Sequence, residues 1–186
     1  MPRARGDAQA PLQVVITVEP GEPVRVRHAD VAIIGDANDD PYLQEELDTF
    51  VPWKDSILDH AAYEDSKARI SRRLAERGYF DADFSARRIA VTRAEHAADM
   101  ELVWTSGPRY DMGPTRFEQT PHEVVDNALL ERLVYWRQGQ YYHQGRLDRL
   151  RTSLNNLDYF SRIDITPRPE DAVDGEVPVD VVLTPA

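Results

Sequence analysis

A chain of 186 residues with a net charge of −11, from 33 acidic against 22 basic side chains, suits one medium domain or two small ones. Such an excess repels phosphate backbones and anionic lipid heads at long range, so no nucleic acid is expected among its partners. The lack of cysteine excludes disulfides and thiolate metal sites, and the lack of any run of about 18 apolar residues excludes a membrane-spanning helix.

Residues 1–11 have no apolar core segment of the signal-peptide kind and read as a disordered leader. A β-branched run from Leu12 to Glu19, stopped by Pro20 and Gly21, predicts a strand. Val24, Val26, Val31 and Ile33 are the apolar positions of the next strand, with the alternation slipping near His28 to Asp30 as a bulge would make it do. Asp40 and Pro41 then supply a cap and a first-turn proline for a helix carrying Leu43, Leu47 and Phe50, which Pro52 stops. After an irregular connection containing Trp53, a second helix is predicted from about Tyr63 to Arg77, with Ile70 and Leu74 inward and Gly78 closing it in a left-handed conformation. Two strands, roughly Tyr79 to Thr92 and Asp99 to Trp104, complete a hairpin.

The order then repeats. The junction near residues 98–117, with its turn at Ser106, Gly107 and Pro108 and a new strand beginning at Tyr110, has a related signature at Val14 to Val26, about ninety residues upstream, which is a domain-sized period. Thr120, Pro121 and Glu123 form a capping box that predicts a helix with Val125, Leu129 and Leu133. The loop from Trp136 to Tyr142 leads to a second helix with the stripe Leu147, Leu150, Leu154 and Leu157, read as core. Tyr159, Phe160, Ile163 and Ile165 begin a strand, and an acidic turn holding Gly175 joins it to Val177, Val179, Val181 and Leu183. Gly78-Tyr79-Phe80 and Asp158-Tyr159-Phe160 occupy the same corner in the two copies, which suggests rings packed under a helix end. The fold class expected is α+β, with two tandem βααββ modules, each having two helices on one face of a three-stranded mixed sheet.

The βααββ order, Gly107-Pro108-Arg109-Tyr110, Gly139-Gln140-Tyr141-Tyr142 and the two Tyr-Phe corners resemble the POTRA (polypeptide-transport-associated) domains of outer-membrane assembly proteins. Tyr63-Glu64-Asp65-Ser66-Lys67 and Gly78-Tyr79-Phe80-Asp81-Ala82 look more narrowly like the periplasmic part of the TamA family, the outer-membrane subunit of the translocation and assembly module. That resemblance implies modules at 22–106 and 107–186, the second and third of the family. It also implies a remnant last strand of a preceding domain at 12–21 and a barrel lying beyond residue 186. It implies a periplasmic, Gram-negative, outer-membrane setting. The implied partners are unfolded outer-membrane or autotransporter client segments, the protein's own C-terminal barrel, and the inner-membrane partner TamB, whose contact lies chiefly with a first domain this chain lacks. A BamA-like or two-partner secretion protein, and a passive spacer arm, remain open beside it.

A sheet covered on one face leaves an edge to which an extended segment can add as another strand. The resemblance places that edge on the first strand of each hairpin, giving as candidates Phe80, Ala82, Phe84, Ala86 and Arg88 in the first module and Phe160, Arg162 and Asp164 in the second. Pro167 and Pro169 shorten the second edge, and Arg87 with Arg88 either line the first or guard it against pairing. Trp104, Gly107, Pro108, Arg109 and Tyr110 are the candidates for the joint between modules. No cofactor, metal site or enzymatic activity is expected. Asp36 to Asp40 begins like a calcium loop but has Pro41 where glycine is needed and Leu47 where the bidentate glutamate belongs, and a capping role fits it better. The five histidines, His28, His60, His96, His122 and His143, lack paired ligand spacing and read as surface or capping residues, and no nucleophile or phosphate-loop pattern occurs. Val14 to Val18, without a domain of its own, is expected to self-associate as a strand.

Overall fold

The computed structural model describes residues 11–16 and 21–186. In the first half, β1 (Arg25–Ile34) runs parallel to β3 (Ala97–Thr105), and β2 (Asp83–Thr92) runs antiparallel to the other side of β3. In the second half, β4 (Asp111–Gln119), β6 (Glu176–Pro185) and β5 (Phe160–Pro167) repeat that arrangement with β6 central. Helices α1 (Pro41–Asp48) and α2 (His60–Glu76) make the crossover in the first sheet, and α3 (Asn127–Glu131) and α4 (Gln144–Asn155) in the second. The architecture is therefore α+β, two mixed three-stranded sheets each carrying a pair of helices.

The central strands show why. In β3, Ala98, Met100, Leu102 and Trp104 are buried, and in β6, Val177, Val179, Val181 and Leu183 are buried, the period of two that a half-covered strand requires. Facing them are Leu43, Ile70 and Leu74 in the first core and Leu130, Leu147, Leu150 and Leu154 in the second. Each such leucine contributes about 1.5–3 kcal/mol of burial, so the two stripes hold the layers together. The bulge expected in β1 falls between Val26 and His28.

Several boundaries differ from the periodicity. Helix α2 starts at His60 rather than near Tyr63, because the Asp59 carboxylate accepts from the Ala62 amide at 3.1 Å. The helix predicted from Thr120 does not form there. Gln119 instead accepts from the Val124 and Val125 amides at 2.9 and 3.2 Å and donates to the Val125 carbonyl at 2.6 Å, which holds 120–125 as an irregular wrap. The five-residue α3 follows, capped by Asp126, with Leu130 buried and Leu129 half exposed. Strand β2 starts at Asp83, since the Ala82 amide bonds to the Tyr79 carbonyl at 3.2 Å and turns the chain. The predicted strand at 12–19 is not formed over Leu12–Ile16, which pair with nothing among the described residues and leave Leu12, Val14, Val15 and Ile16 at least 70% exposed. Its remaining part, Thr17 to Glu19, and leader residues 1–10 lie outside the described residues.

Candidate functional site

The joint is built on the C terminus of α2. Gly78 has φ +85°, and a Cβ there would lie 2.9 Å from the Tyr142 Cβ and 3.1 Å from the Tyr110 carbonyl, so a side chain would push the second module away. The backbone crosses at that point: the Tyr110 amide donates to the Gly78 carbonyl at 2.9 Å, and the Tyr142 amide donates to the Tyr110 carbonyl at 3.0 Å. Phe80 leaves its own module and sets its ring 4.7 Å from that of Tyr142 and 5.7 Å from that of Tyr110, against the second core. The Tyr110 hydroxyl donates to Asp81 at 2.8 Å.

Arg109 bolts the two sides. Its Nε donates to the Arg77 carbonyl at 2.8 Å, the negative end of α2, and its Nη2 donates to the Tyr142 carbonyl at 3.2 Å, while its guanidinium stacks 4.4 Å over the Tyr141 ring. Burial, with the nearby Arg77 charge, lowers its pKa. Behind it, Asp40 caps α1 through the Tyr42 amide at 3.1 Å and accepts from Arg77 Nε at 2.7 Å and the Tyr79 hydroxyl at 2.8 Å. Burial alone would raise the Asp40 carboxyl, but those bonds and the Arg77 charge outweigh it and hold the group below the ordinary carboxylate value. Burial and the bond to Asp40 push the Tyr79 phenol up. The first module's charged network thus ends on the carbonyl that Arg109 grips.

Each sheet has two outer strands, and their exposure differs. Among the described residues strand β2 pairs only with β3, and it carries no proline over its ten residues. On it, Phe84 lies 5.2 Å from the Trp104 ring beneath the Arg87 guanidinium, and Arg88 reaches Glu101 on the open face at 3.6 Å. A bulge between Phe84 and Ala86 bends its start. In β5, Arg162 and Asp164 pair with each other at 2.8 Å, and the strand ends at Pro167. The other outer strands, β1 and β4, were not anticipated as edges. Pro114 lies within β4, a contrast with the proline-free β1 that the sequence itself displays.

No family model matches this chain. Among solved structures it is similar to Haemophilus influenzae BamA POTRA domains 3 to 5, at 19% identity and a TM-score of 0.60, over 86% of this chain and 61% of that one. BamA from Haemophilus ducreyi lacking POTRA domains 1 to 3 matches at 13% identity and a TM-score of 0.64, over 87% of this chain and 29% of that one. POTRA domains 1 and 2 of the periplasmic domain of Omp85 from Anabaena match at 11% identity and a TM-score of 0.56, covering 86% of this chain and 96% of theirs. The fold is two tandem POTRA modules. This chain spans 61% and 29% of the two BamA chains.

Within the POTRA pair the sequence-based site residues fall as follows. Gly107, at φ +64° against Asp81, Pro108, Arg109 and Tyr110 lie at the joint, but Trp104 does not: it is buried in the first core, with its indole N–H donating to Ser71 at 3.2 Å. The alternation of β3 puts it there. Phe84, Ala86 and Arg88 lie on β2, whereas Phe80 and Ala82 precede that strand and Phe80 belongs to the joint. Phe160, Arg162 and Asp164 lie on β5. The two corners are not equivalent, for Tyr79 is buried and Tyr159 is 54% exposed.

Proposed function

We propose that this chain is a non-enzymatic periplasmic scaffold from an outer-membrane protein assembly or secretion factor, one that takes up extended client segments by strand addition and holds them in a fixed place. The observation that carries the reading is the β2 edge, ten residues without proline, beginning directly after a joint closed by backbone hydrogen bonds. An added strand gains main-chain hydrogen bonds that depend little on side-chain identity, which suits a factor serving many clients. The finer reading is the TamA family, with the second and third POTRA domains, clients of the autotransporter kind, and TamB engaged through a different domain. Tyr63-Glu64-Asp65-Ser66-Lys67 and Gly78-Tyr79-Phe80-Asp81-Ala82 support it. A BamA-like assembly factor is the second reading, favoured by the similarity to the two BamA structures.

The test is amide chemical-shift mapping of the labelled chain during titration with an extended peptide from an outer-membrane barrel strand. Saturable shifts confined to 83–92, with smaller ones at 160–166, are expected. An unchanged spectrum at millimolar peptide would sink strand addition and leave a rigid spacer arm, to which the joint is equally suited.

A further inference from the structure

Between α2 and the start of β2 lies a small pocket of about 150 Å³. Its floor is Leu74 and Trp104, both buried, and the Tyr79 and Phe80 corner closes one end. Ala75 lines it from the helix, and Ala82 with Phe84 from the strand, so short side chains leave the space open. Ser71 and Asp83 are its polar members. The Ser71 hydroxyl accepts from the Trp104 indole at 3.2 Å, and Asp83 accepts from the Phe84 amide at 2.8 Å. Ser71, Ala75 and Asp83 are exposed, so the pocket opens to solvent alongside the outer strand. Its corner is held firmly, by the Tyr79 hydroxyl on Asp40 and by the Phe80 ring against Tyr110 and Tyr142. The pocket is preformed, which lowers the ordering cost of filling it.

Size and charge define what fits. An apolar cavity of this volume accommodates a benzene ring, whereas a whole small-molecule ligand needs about 300–1,000 Å³. The occupant is therefore one side chain of a longer molecule lying on the surface. The bulge in β2 then decides what stands beside that ring. Phe84 pairs with Trp104, Arg87 with Leu102 and Ile89 with Met100, all buried partners, so Phe84 and Arg87 share the helix-bearing face although three residues separate them. The Arg87 guanidinium lies 4.8 Å from the Phe84 ring. Neighbouring cations are taken: Lys67 pairs with Glu64 at 2.8 Å, and Arg88 reaches Glu101 on the opposite face at 3.6 Å. Arg87 has no carboxylate partner among the described residues. In a chain with 33 acidic side chains against 22 basic ones, that open cation beside an apolar pocket is the complement of a carboxylate brought by a partner.

We propose that this pocket and Arg87 select the segment that adds to β2: an extended peptide with an aromatic side chain in the pocket and an acidic side chain two residues away, against Arg87. Residues two apart on a strand project to the same face, so one added strand satisfies both contacts. The inference rests on strand addition at β2 and supplies what main-chain pairing lacks. Backbone hydrogen bonds accept many sequences, while a ring and a carboxylate fix the register in which a segment lies.

The experiment is the amide-shift titration of the full labelled chain with three extended peptides on one host of threonine and serine. The first carries phenylalanine and glutamate two residues apart, the second alanine and glutamate, the third phenylalanine and lysine. The first is expected to shift 71–75 and 82–92 together with the Trp104 indole N–H. The second should bind about tenfold more weakly, because no ring is buried, and the third about three- to fivefold more weakly, as for an exposed charge pair. Two variants, both at exposed positions, leave the cores untouched. Ala75→Leu fills the pocket and should weaken the first peptide about tenfold without affecting the second. Arg87→Glu should reverse the order of the first and third. Equal binding of the first peptide and either of the others, with shifts still at 83–92, overturns the proposal and leaves strand addition standing. Indifference of the first peptide to both variants overturns it too. No shift with any peptide removes strand addition itself, and this inference with it.

Discussion

Asp40 and Asp126 do the same local work in the two modules. Each stands before the first helix and accepts from the amide two residues on, Tyr42 at 3.1 Å and Ala128 at 2.9 Å. Their surroundings differ. Asp40 is buried and also holds Arg77 and Tyr79, so removing it strands a buried guanidinium and a buried hydroxyl; Asp126 is exposed and caps a helix of five residues. The same duplicated motif has become, in one module, the inner end of a network reaching the joint. In the other it remained a surface cap. Edges follow the same division, for the first module leaves two proline-free outer strands and the second carries Pro114 and Pro167 on its own.

The largest effect expected from this contrast is on stability. Asp40→Ala should cost about 3–5 kcal/mol, the range for breaking one side of a buried ion pair. Asp126→Ala should cost about 1 kcal/mol, the worth of an exposed cap. Urea unfolding of both variants checks the pair of values, and equal losses would break the comparison. The pH dependence has a definite sign. Asp40 lies below its ordinary 3.8 when folded, so its contribution is complete above that value and is lost as pH falls through the lower one. Asp40→Asn should therefore flatten the acid limb of the stability curve.

An intermediate effect is expected at the joint. Arg109 is partly buried and donates to two carbonyls on opposite sides, so Arg109→Ala should cost about 1.5–3 kcal/mol, as for hydrogen bonds from a charged group. More diagnostic is the motion it releases. A single unfolding transition should separate into two, and the rotational correlation time from amide relaxation should fall toward that of independent modules. The control is Arg116, which pairs with Asp180 at 2.7 Å on the open surface of the second module, its side chain 54% exposed. Arg116→Ala should change stability by only about 0–1 kcal/mol. If both arginines behave alike, Arg109 is a surface pair rather than a bolt.

Much of this was legible in the sequence and some was not, for physical reasons. Element order, the Asp40 cap, the Leu147 to Leu154 stripe and the left-handed Gly78 follow from local rules that tertiary contacts did not override. The capping box at Thr120 failed because Gln119, outside the motif, supplies both acceptor and donor to 124–125 and satisfies that backbone without a helix. Placing Trp104 at the joint neglected the alternation Ala98, Met100, Leu102, Trp104, which already pointed it inward. The repeat also misled at the corners. Identical Tyr-Phe pairs diverge because Tyr79 joins the first core and bonds to Asp40 and Phe80 packs on Tyr110 and Tyr142, while Tyr159 is 54% exposed. A pattern in one strand of sequence records what a segment can do, and the neighbour decides which of those things it does.

The smallest effect concerns the caps of the two longer helices, Asp59 on α2 and His143 on α4. The His143 Nδ1 accepts from the Gly145 amide at 2.8 Å, which only the neutral ring can do. Burial lowers its pKa below the ordinary 6.5, with Arg77, Arg109 and Arg146 adding to the shift and Glu76 opposing it. Above 6.5 the ring is neutral folded or unfolded and the cap is intact. As pH falls from 6.5 toward the folded value, the unfolded chain binds a proton that the folded chain refuses, and stability falls. The loss should reach about 1 kcal/mol, the usual worth of a cap, and appear as reduced amide-exchange protection in α4. Helix α2, whose cap is the Asp59 side chain and not an imidazole, is the internal control and should keep its protection. His143→Asn retains a capping oxygen and cannot titrate, so it should abolish the pH dependence while leaving stability at pH 7.5 within a few tenths of a kcal/mol. Because two of the three arginines belong to the joint, Arg109→Ala should also raise the His143 pKa, which a ring titration by NMR would read directly. A His143 that titrates identically in that variant would show that the ring responds to burial alone and that the joint does not reach the cap.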